Sequence, residues 1–129
     1  MQFLTKGDIL SVEDMPKEIV DVPEWGGAVY VRSMSASERD TFEQSVSLGS
    51  NGSVTRNLNN IRARLAVLCL CDESGNRMFE DAEAETLGRK SAAALDRIFE
   101  VARRLNALTD SDVEELRKNL PAVPSVDST

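Results

Sequence analysis

The longest periodic segment in the chain limits its fold more than any other feature. After Ser91, apolar side chains return at Leu95, Ile98, Ala102 and Leu105, spacings of three, four and three that put them on one side of an α-helix. Phe99 and Val101 widen that stripe beyond what one neighbour covers, so the segment reads as a central helix of a helical domain. A second run, Leu58, Ile61, Leu65 and Leu68, has the same spacing and supplies a core partner. Aromatic residues are only 5% of the 129, so the core must be aliphatic, and a chain of this length holds one core. We therefore expect a mainly α single domain over residues 1–120. Pro121-Ala122-Val123-Pro124 ends its last helix, and residues 121–129 form a polar, flexible C-terminal tail.

A small β component is expected near the N-terminus. Glu18-Ile19-Val20-Asp21-Val22 and Ala28-Val29-Tyr30-Val31-Arg32 are β-branched runs on either side of Pro23-Glu24-Trp25-Gly26-Gly27, the pattern of a hairpin with a five-residue loop. A lone hairpin is marginal, so one face must lie on the helices; Ile19, Val29 and Val31 are assigned to that face, with Glu18, Tyr30 and Arg32 outward. Ahead of it, Thr5 and Asp8 form a weak capping box for a short helix carrying Ile9, Leu10 and Val12, stopped at Met15-Pro16. Ser35 and Glu38 form a second box, opening a helix with Phe42 and Val46 inward that runs to about Leu48. Gly49-Ser50-Asn51-Gly52-Ser53 reads as an exposed loop, with helix resuming from Val54. Ser74-Gly75-Asn76 is turn chemistry, residues 80–87 form an acidic short helix ended near Gly88, and Thr109 and Asp112 open a last helix bearing Val113, Leu116 and Leu120.

The chemistry of the side chains points away from catalysis. Histidine is absent, which removes histidine bases, Ser-His-Asp and Cys-His nucleophiles and histidine metal sites together. Cys69 and Cys71 are the only thiols; two residues apart they do not readily bridge, and two cysteines without histidine leave a zinc shell half empty. They read as buried free thiols. Asp72-Glu73-Ser74-Gly75-Asn76 with Glu83 superficially mimics a calcium loop, but the sixth position, which needs glycine, is Arg77. Glu80, Asp81, Glu83 and Glu85 are solvated charges favoured at a helix N-terminus, and neither Gly26-Gly27 nor Gly49-x-x-Gly52 is followed by the lysine of a phosphate loop. We read the chain as non-enzymatic, with no catalytic, metal or cofactor-binding residues.

Charge indicates the class of partner. A net charge of −7 opposes nucleic acid and anionic membrane, so a protein partner is expected. No run reaches the roughly 18 apolar residues of a membrane span, and the start MQFLTKGDIL lacks the basic and apolar parts of a secretory signal, so a cytosolic protein is expected. The charge is banded: −4 over residues 1–25, +3 over 54–64, −5 over 72–86, +3 over 89–104 and −2 over 109–118. Bands of opposite sign can pair between copies, which makes a homo-oligomer the expectation; they can equally neutralise one another within one chain. Candidate partner-binding residues are Arg62, Arg97, Arg103 and Arg104 on the basic helices and Leu116 on the last. Trp25 at the hairpin tip is a further candidate, as either a core anchor or an exposed binding ring.

Several stretches together resemble siphophage tail assembly chaperones. The first half carries Val20-Asp21-Val22-Pro23-Glu24-Trp25-Gly26-Gly27, Val29-Tyr30-Val31-Arg32, Ser35-Ala36-Ser37-Glu38-Arg39-Asp40 and Phe42-Glu43. The second carries Arg62-Ala63-Arg64-Leu65, the run from Cys71 through Asp72-Glu73-Ser74-Gly75-Asn76-Arg77 to Met78-Phe79, and Ser91-Ala92-Ala93-Ala94-Leu95-Asp96-Arg97-Ile98-Phe99. The likeness extends from about Asp8 to Asn119 and rests on order and spacing. It implies a non-enzymatic protein of the infected host cytoplasm that binds the tape measure protein, keeps it soluble, helps the major tail (tube) protein polymerise around it, and is absent from the mature virion. It also implies a longer product made by frameshifting, which Arg117-Lys118-Asn119 permits. Two other classes are weighed beside it. A head–tail joining component would stay in the particle; an acidic host-factor inhibitor would need one continuous acidic surface, which the two +3 bands interrupt.

Overall fold

The computed structural model describes residues 1–50, 53–56 and 58–108; for residues 47–50 and 53–56 only the backbone path is described. Helix α1 (Lys6–Ser11) leads into strands β1 (Lys17–Val22) and β2 (Gly27–Arg32), and α2 (Ala36–Val46) follows. Then come β3 (Ser47–Ser50), β4 (Ser53–Arg56), α3 (Ile61–Cys69), β5 (Leu70–Cys71), α4 (Ala84–Leu87) and α5 (Ala92–Leu105). The domain is mainly α, with a three-stranded antiparallel sheet of order β1-β2-β5 and a separate β3-β4 ribbon.

The hairpin forms where the β-branched runs place it. Pro23 starts a single 3-10 turn (Pro23–Trp25), and Gly26, at φ +74°, takes the left-handed conformation that lets its N–H reach the Pro23 carbonyl at 3.0 Å. The register pairs Val20 with Val29, Ile19 with Tyr30 and Lys17 with Arg32. Opposed residues share a face, so once Val29 and Val31 turn toward the helices, Val20 and Val22 turn with them and Ile19 is forced outward. The assignment of Ile19 to the core face is therefore corrected: it is 63% exposed, while Val20 and Val22 are buried. Arg32, assigned outward, is instead 4% exposed beneath the start of α2.

The core sits between the sheet and two helices. Helix α3 packs along α5, and α5 lies across β1 and β2. Six of the nine α3 residues are buried, Ala63 and Leu65 through Cys69, so this helix is enclosed nearly all round. On α5 the buried side is Ala94, Leu95, Ile98 and Ala102, with Phe99, Val101 and Leu105 half-buried at its margins, the stripe its periodicity predicts. Truncating a fully enclosed residue such as Leu65 or Ile98 to Ala would cost about 2–5 kcal/mol.

The capping signals hold in detail. The Thr5 hydroxyl accepts from the Asp8 N–H at 3.2 Å and the Asp8 carboxylate accepts from the Thr5 N–H at 3.0 Å. Ser35 and Glu38 repeat the exchange at 3.2 and 2.9 Å, and the Ser91 hydroxyl accepts from the Ala94 N–H at 3.2 Å. Two expectations are corrected. The stretch around Gly49 is a hairpin of four-residue strands rather than a plain loop, and helix resumes only at Ile61, not Val54. Cys69 ends α3 and Cys71 lies on β5, and both are buried free thiols. The Asp72 carboxylate accepts from the N–H groups of Ser74 and Asn76 at 2.9 and 3.0 Å, closing the polar turn. The helix expected from Thr109 to Leu120, with Leu116, and the tail expected at 121–129 fall outside the described residues.

Candidate partner-binding surface

The basic candidates come first, because α5 positions three of them. Arg97 and Arg104 lie seven residues apart on one flank of α5, above the hairpin. Arg97 Nε donates to Glu24 at 2.9 Å, and Arg104 donates through both terminal nitrogens to Glu18 at 3.1 and 2.7 Å. These bonds strap α5 to the acidic N-terminal band. They hold the Glu18 and Glu24 carboxyls below the usual glutamate range and raise both guanidinium pKa values. Arg103 donates to Glu100 at 2.9 Å and to the Leu108 carbonyl at 3.1 Å, and Arg62 pairs with Asp96 across α3 and α5. Each of the four thus has an acidic partner within its own chain. The pairs are solvent-exposed, so exchanging one for a partner's carboxylate changes little free energy.

Trp25 ends the 3-10 turn half-buried. One side packs on the core, and the other, with Phe79, Leu87 and Lys90, lines a shallow apolar hollow of about 440 Å³. Its packed side makes it the core anchor that its sequence position allowed. Arg97, bonded to Glu24 beside it, and Lys90 place cations at this end of the domain.

A third surface was not singled out from the sequence. Of the nine large apolar side chains that stand exposed among the described residues, eight lie in the first nineteen positions: Met1, Phe3, Leu4, Ile9, Leu10, Val12, Met15 and Ile19. Helix α1 buries no residue at all, with Ile9 55% and Leu10 75% exposed. Six residues cannot hold a helix in water by propensity alone, so only the Thr5–Asp8 box supports it until something covers its apolar side. The available signal was three apolar residues in four, Ile9, Leu10 and Val12, on a helix cut off by Pro16.

Buried polar groups elsewhere are structural. Arg32 forms a bidentate pair with Glu38 at 3.1 and 2.9 Å and donates to the Ser33 carbonyl at 3.1 Å. The Asn106 side chain accepts from the Met34 N–H at 2.7 Å and donates to the Ala102 carbonyl at 2.7 Å, tying the end of α5 to the entry of α2. Burial pushes the Cys69 thiol up to about 12 and also raises Cys71, so neither thiol is poised as a nucleophile. Among the described residues no helix is long and apolar enough to cross a membrane, and no three potential metal ligands cluster.

The fold and this surface can be set beside known proteins. No curated protein matches the chain. Among solved structures, the tail assembly chaperone of bacteriophage HK97 superposes with a TM-score of 0.54 at 24% identity, covering 70% of this chain and 85% of that one, which establishes a shared fold. The sequence profile of the phage tail assembly chaperones matches residues 12–119, the whole described core and the segment beyond it. With most of its length inside that profile, the chain belongs to the phage tail assembly chaperone family.

Proposed function

We propose that this chain binds the tape measure protein of its phage, keeps it soluble while the major tail (tube) protein assembles around it, and leaves before the virion is complete. The observation that carries the reading is the exposed apolar arm of residues 1–15, on a domain whose other large apolar side chains, among the described residues, are almost all covered. A chain with this much uncovered apolar surface has the means to shield another protein's apolar helix faces. Its net charge of −7 would keep the complex in solution. Trp25, Arg62, Arg97, Arg103, Arg104 and Leu116 are proposed as a polar and aromatic rim around that contact; exposed ion pairs suit a rim because they can be exchanged when tube protein displaces the chaperone. The site of action is the host cytoplasm, the chain self-associates, and a frameshifted longer form accompanies it. No bond is made or broken by the protein.

Coexpression with the tape measure protein of the same phage tests this. The expected result is tape measure protein in the soluble fraction, bound to this chain, and mature particles that lack the chain. Insoluble tape measure protein at every expression ratio would overturn the reading. Stoichiometric retention in particles would favour the head–tail joining role instead.

A further inference from the structure

Strand β1 is the edge of the three-stranded sheet, and its main-chain geometry specifies what can add to it. The Ser33 N–H donates to the Pro16 carbonyl at 3.0 Å, which makes Pro16 and Ser33 a hydrogen-bonded pair in the antiparallel ladder. Alternation along the ladder then makes Glu18–Val31, Val20–Val29 and Val22–Gly27 the bonded pairs. The N–H and C=O groups of Lys17, Ile19 and Asp21 are therefore directed to the open edge, and no described residue bonds to them. Their side chains share the outer face, where Ile19 is 63% exposed between a cation and an anion.

We propose that β1 pairs with β1 of a second copy of this chain, antiparallel and centred on Ile19, joining two three-stranded sheets into one of six strands. In that register Ile19 opposes the partner's Ile19, and Lys17 opposes the partner's Asp21 on both sides of the two-fold axis. Three opposed pairs with two bonds each satisfy every main-chain group directed to the edge. A slip of two residues one way leaves Lys17 opposite the partner's Ile19 and loses a pair. The other way brings the partner's Pro23, which has no N–H, into the ladder. A slip of one residue aligns groups already bonded within the hairpin. The opposite charges at equal distances from Ile19 repel a mismatched edge and complement a two-fold one. This names a surface for the self-association proposed above, but it stands on strand geometry and does not depend on tape measure binding.

The test is a charge exchange read by light-scattering mass across a concentration series, with no tape measure protein present. The wild-type chain is expected to dimerise. Lys17→Asp and Asp21→Lys, each alone, place like charges opposite one another and are expected to weaken the dimer by roughly tenfold or more. Mixed in equal amounts they restore it as a heterodimer, because both cross-strand pairs are then of opposite sign. A second measurement uses Ile19→Cys, which is expected to give a disulfide-linked dimer on oxidation, since Cys69 and Cys71 are buried. A monomeric wild type, single variants that associate as tightly as wild type, or a mixture no stronger than its parts would overturn the proposal. Oligomers with no Ile19→Cys cross-link would place self-association on another surface and equally overturn it. None of these results bears on tape measure binding, which is read separately by solubility.

Discussion

Replacing Glu38 by Ala probes the one ion pair that the fold places largely out of water among the described residues. Arg32 has a side chain 5% exposed, against 21% for Glu38, and it donates both terminal nitrogens to that carboxylate. Glu38 also accepts from the Ser35 N–H at 2.9 Å, so one side chain caps α2 and neutralises the arginine beneath it. Removing the carboxylate leaves a guanidinium charge largely buried with no counter-ion, a loss of about 3–5 kcal/mol. Partial access of water at Glu38 places the expected cost near ~3 kcal/mol, with the lost cap inside that figure. For a domain of this length that is a fall in melting temperature of roughly 10 °C, a large part of the usual ~5–15 kcal/mol of total stability. Thermal and urea unfolding followed by circular dichroism measure it. The double variant Arg32→Met with Glu38→Leu removes both charges together and is expected to recover most of the loss. The pH dependence has a definite sign. Burial pushes the Glu38 carboxyl up, but the bonds from Arg32 and Ser35 outweigh it, so the folded pKa lies below the ordinary 4.5. A group depressed on folding contributes its full stability above its unfolded pKa and loses it as pH falls through the folded value, so wild type should lose stability below about 4.5 more steeply than Glu38→Ala. A Glu38→Ala loss under ~1 kcal/mol, or a double variant no better than the single one, would show that Glu38 does not compensate a buried charge on Arg32.

Three further outcomes follow from other local contacts. Asn106→Ala strips the Met34 N–H of its buried acceptor and is expected to cost about 1–3 kcal/mol in urea unfolding, whereas a surface change such as Glu73→Ala should cost almost nothing. Helix α5 ends in a Schellman turn, the N–H groups of Leu108 and Ala107 donating to the Arg103 and Arg104 carbonyls at 2.8 and 3.1 Å, with Ala107 at φ +57°. Relieving that left-handed alanine by Ala107→Gly should therefore stabilise the domain by about 0.5–1 kcal/mol, measured as a rise in melting temperature. Both cysteines should resist alkylation by iodoacetamide at pH 8 in the native state and react at once in denaturant; rapid native labelling would contradict their burial.

How much of this was legible in the sequence depends on the range of the interactions involved. Local signals read well: the Thr5–Asp8 and Ser35–Glu38 boxes, the Ser91 cap and the α5 stripe are set by residues three and four apart. The facing of Ile19 depends on register, which the strand's own pattern does not carry. Single-strand alternation cannot choose between Ile19 and Val20 until the turn at Pro23 fixes which residue opposes Val29. The β3-β4 hairpin carried its own signal, Asn51-Gly52 between two short runs, outweighed by the flexible composition around it. Strand alternation places Arg32 at the surface because its partner Glu38 lies beyond the strand, and burying an arginine depends on a contact that periodicity does not report. The site was the least legible part. Charge bands pointed to the arginines, whose partners Glu18, Glu24 and Asp96 only the tertiary fold supplies. The uncovered apolar arm is recognisable only once the rest of the core is seen to close without it.

Shielding of the tape measure protein by that arm is measured by light scattering. Tape measure protein of the same phage is diluted from denaturant and is expected to aggregate, and increasing amounts of wild-type chain are expected to suppress the scattering in proportion. A variant carrying Ile9→Ser, Leu10→Ser and Val12→Ser should melt at the wild-type temperature, because all three residues are exposed, yet suppress far less. Scattering unaffected by the wild-type chain, or suppressed equally by the variant, would contradict the account.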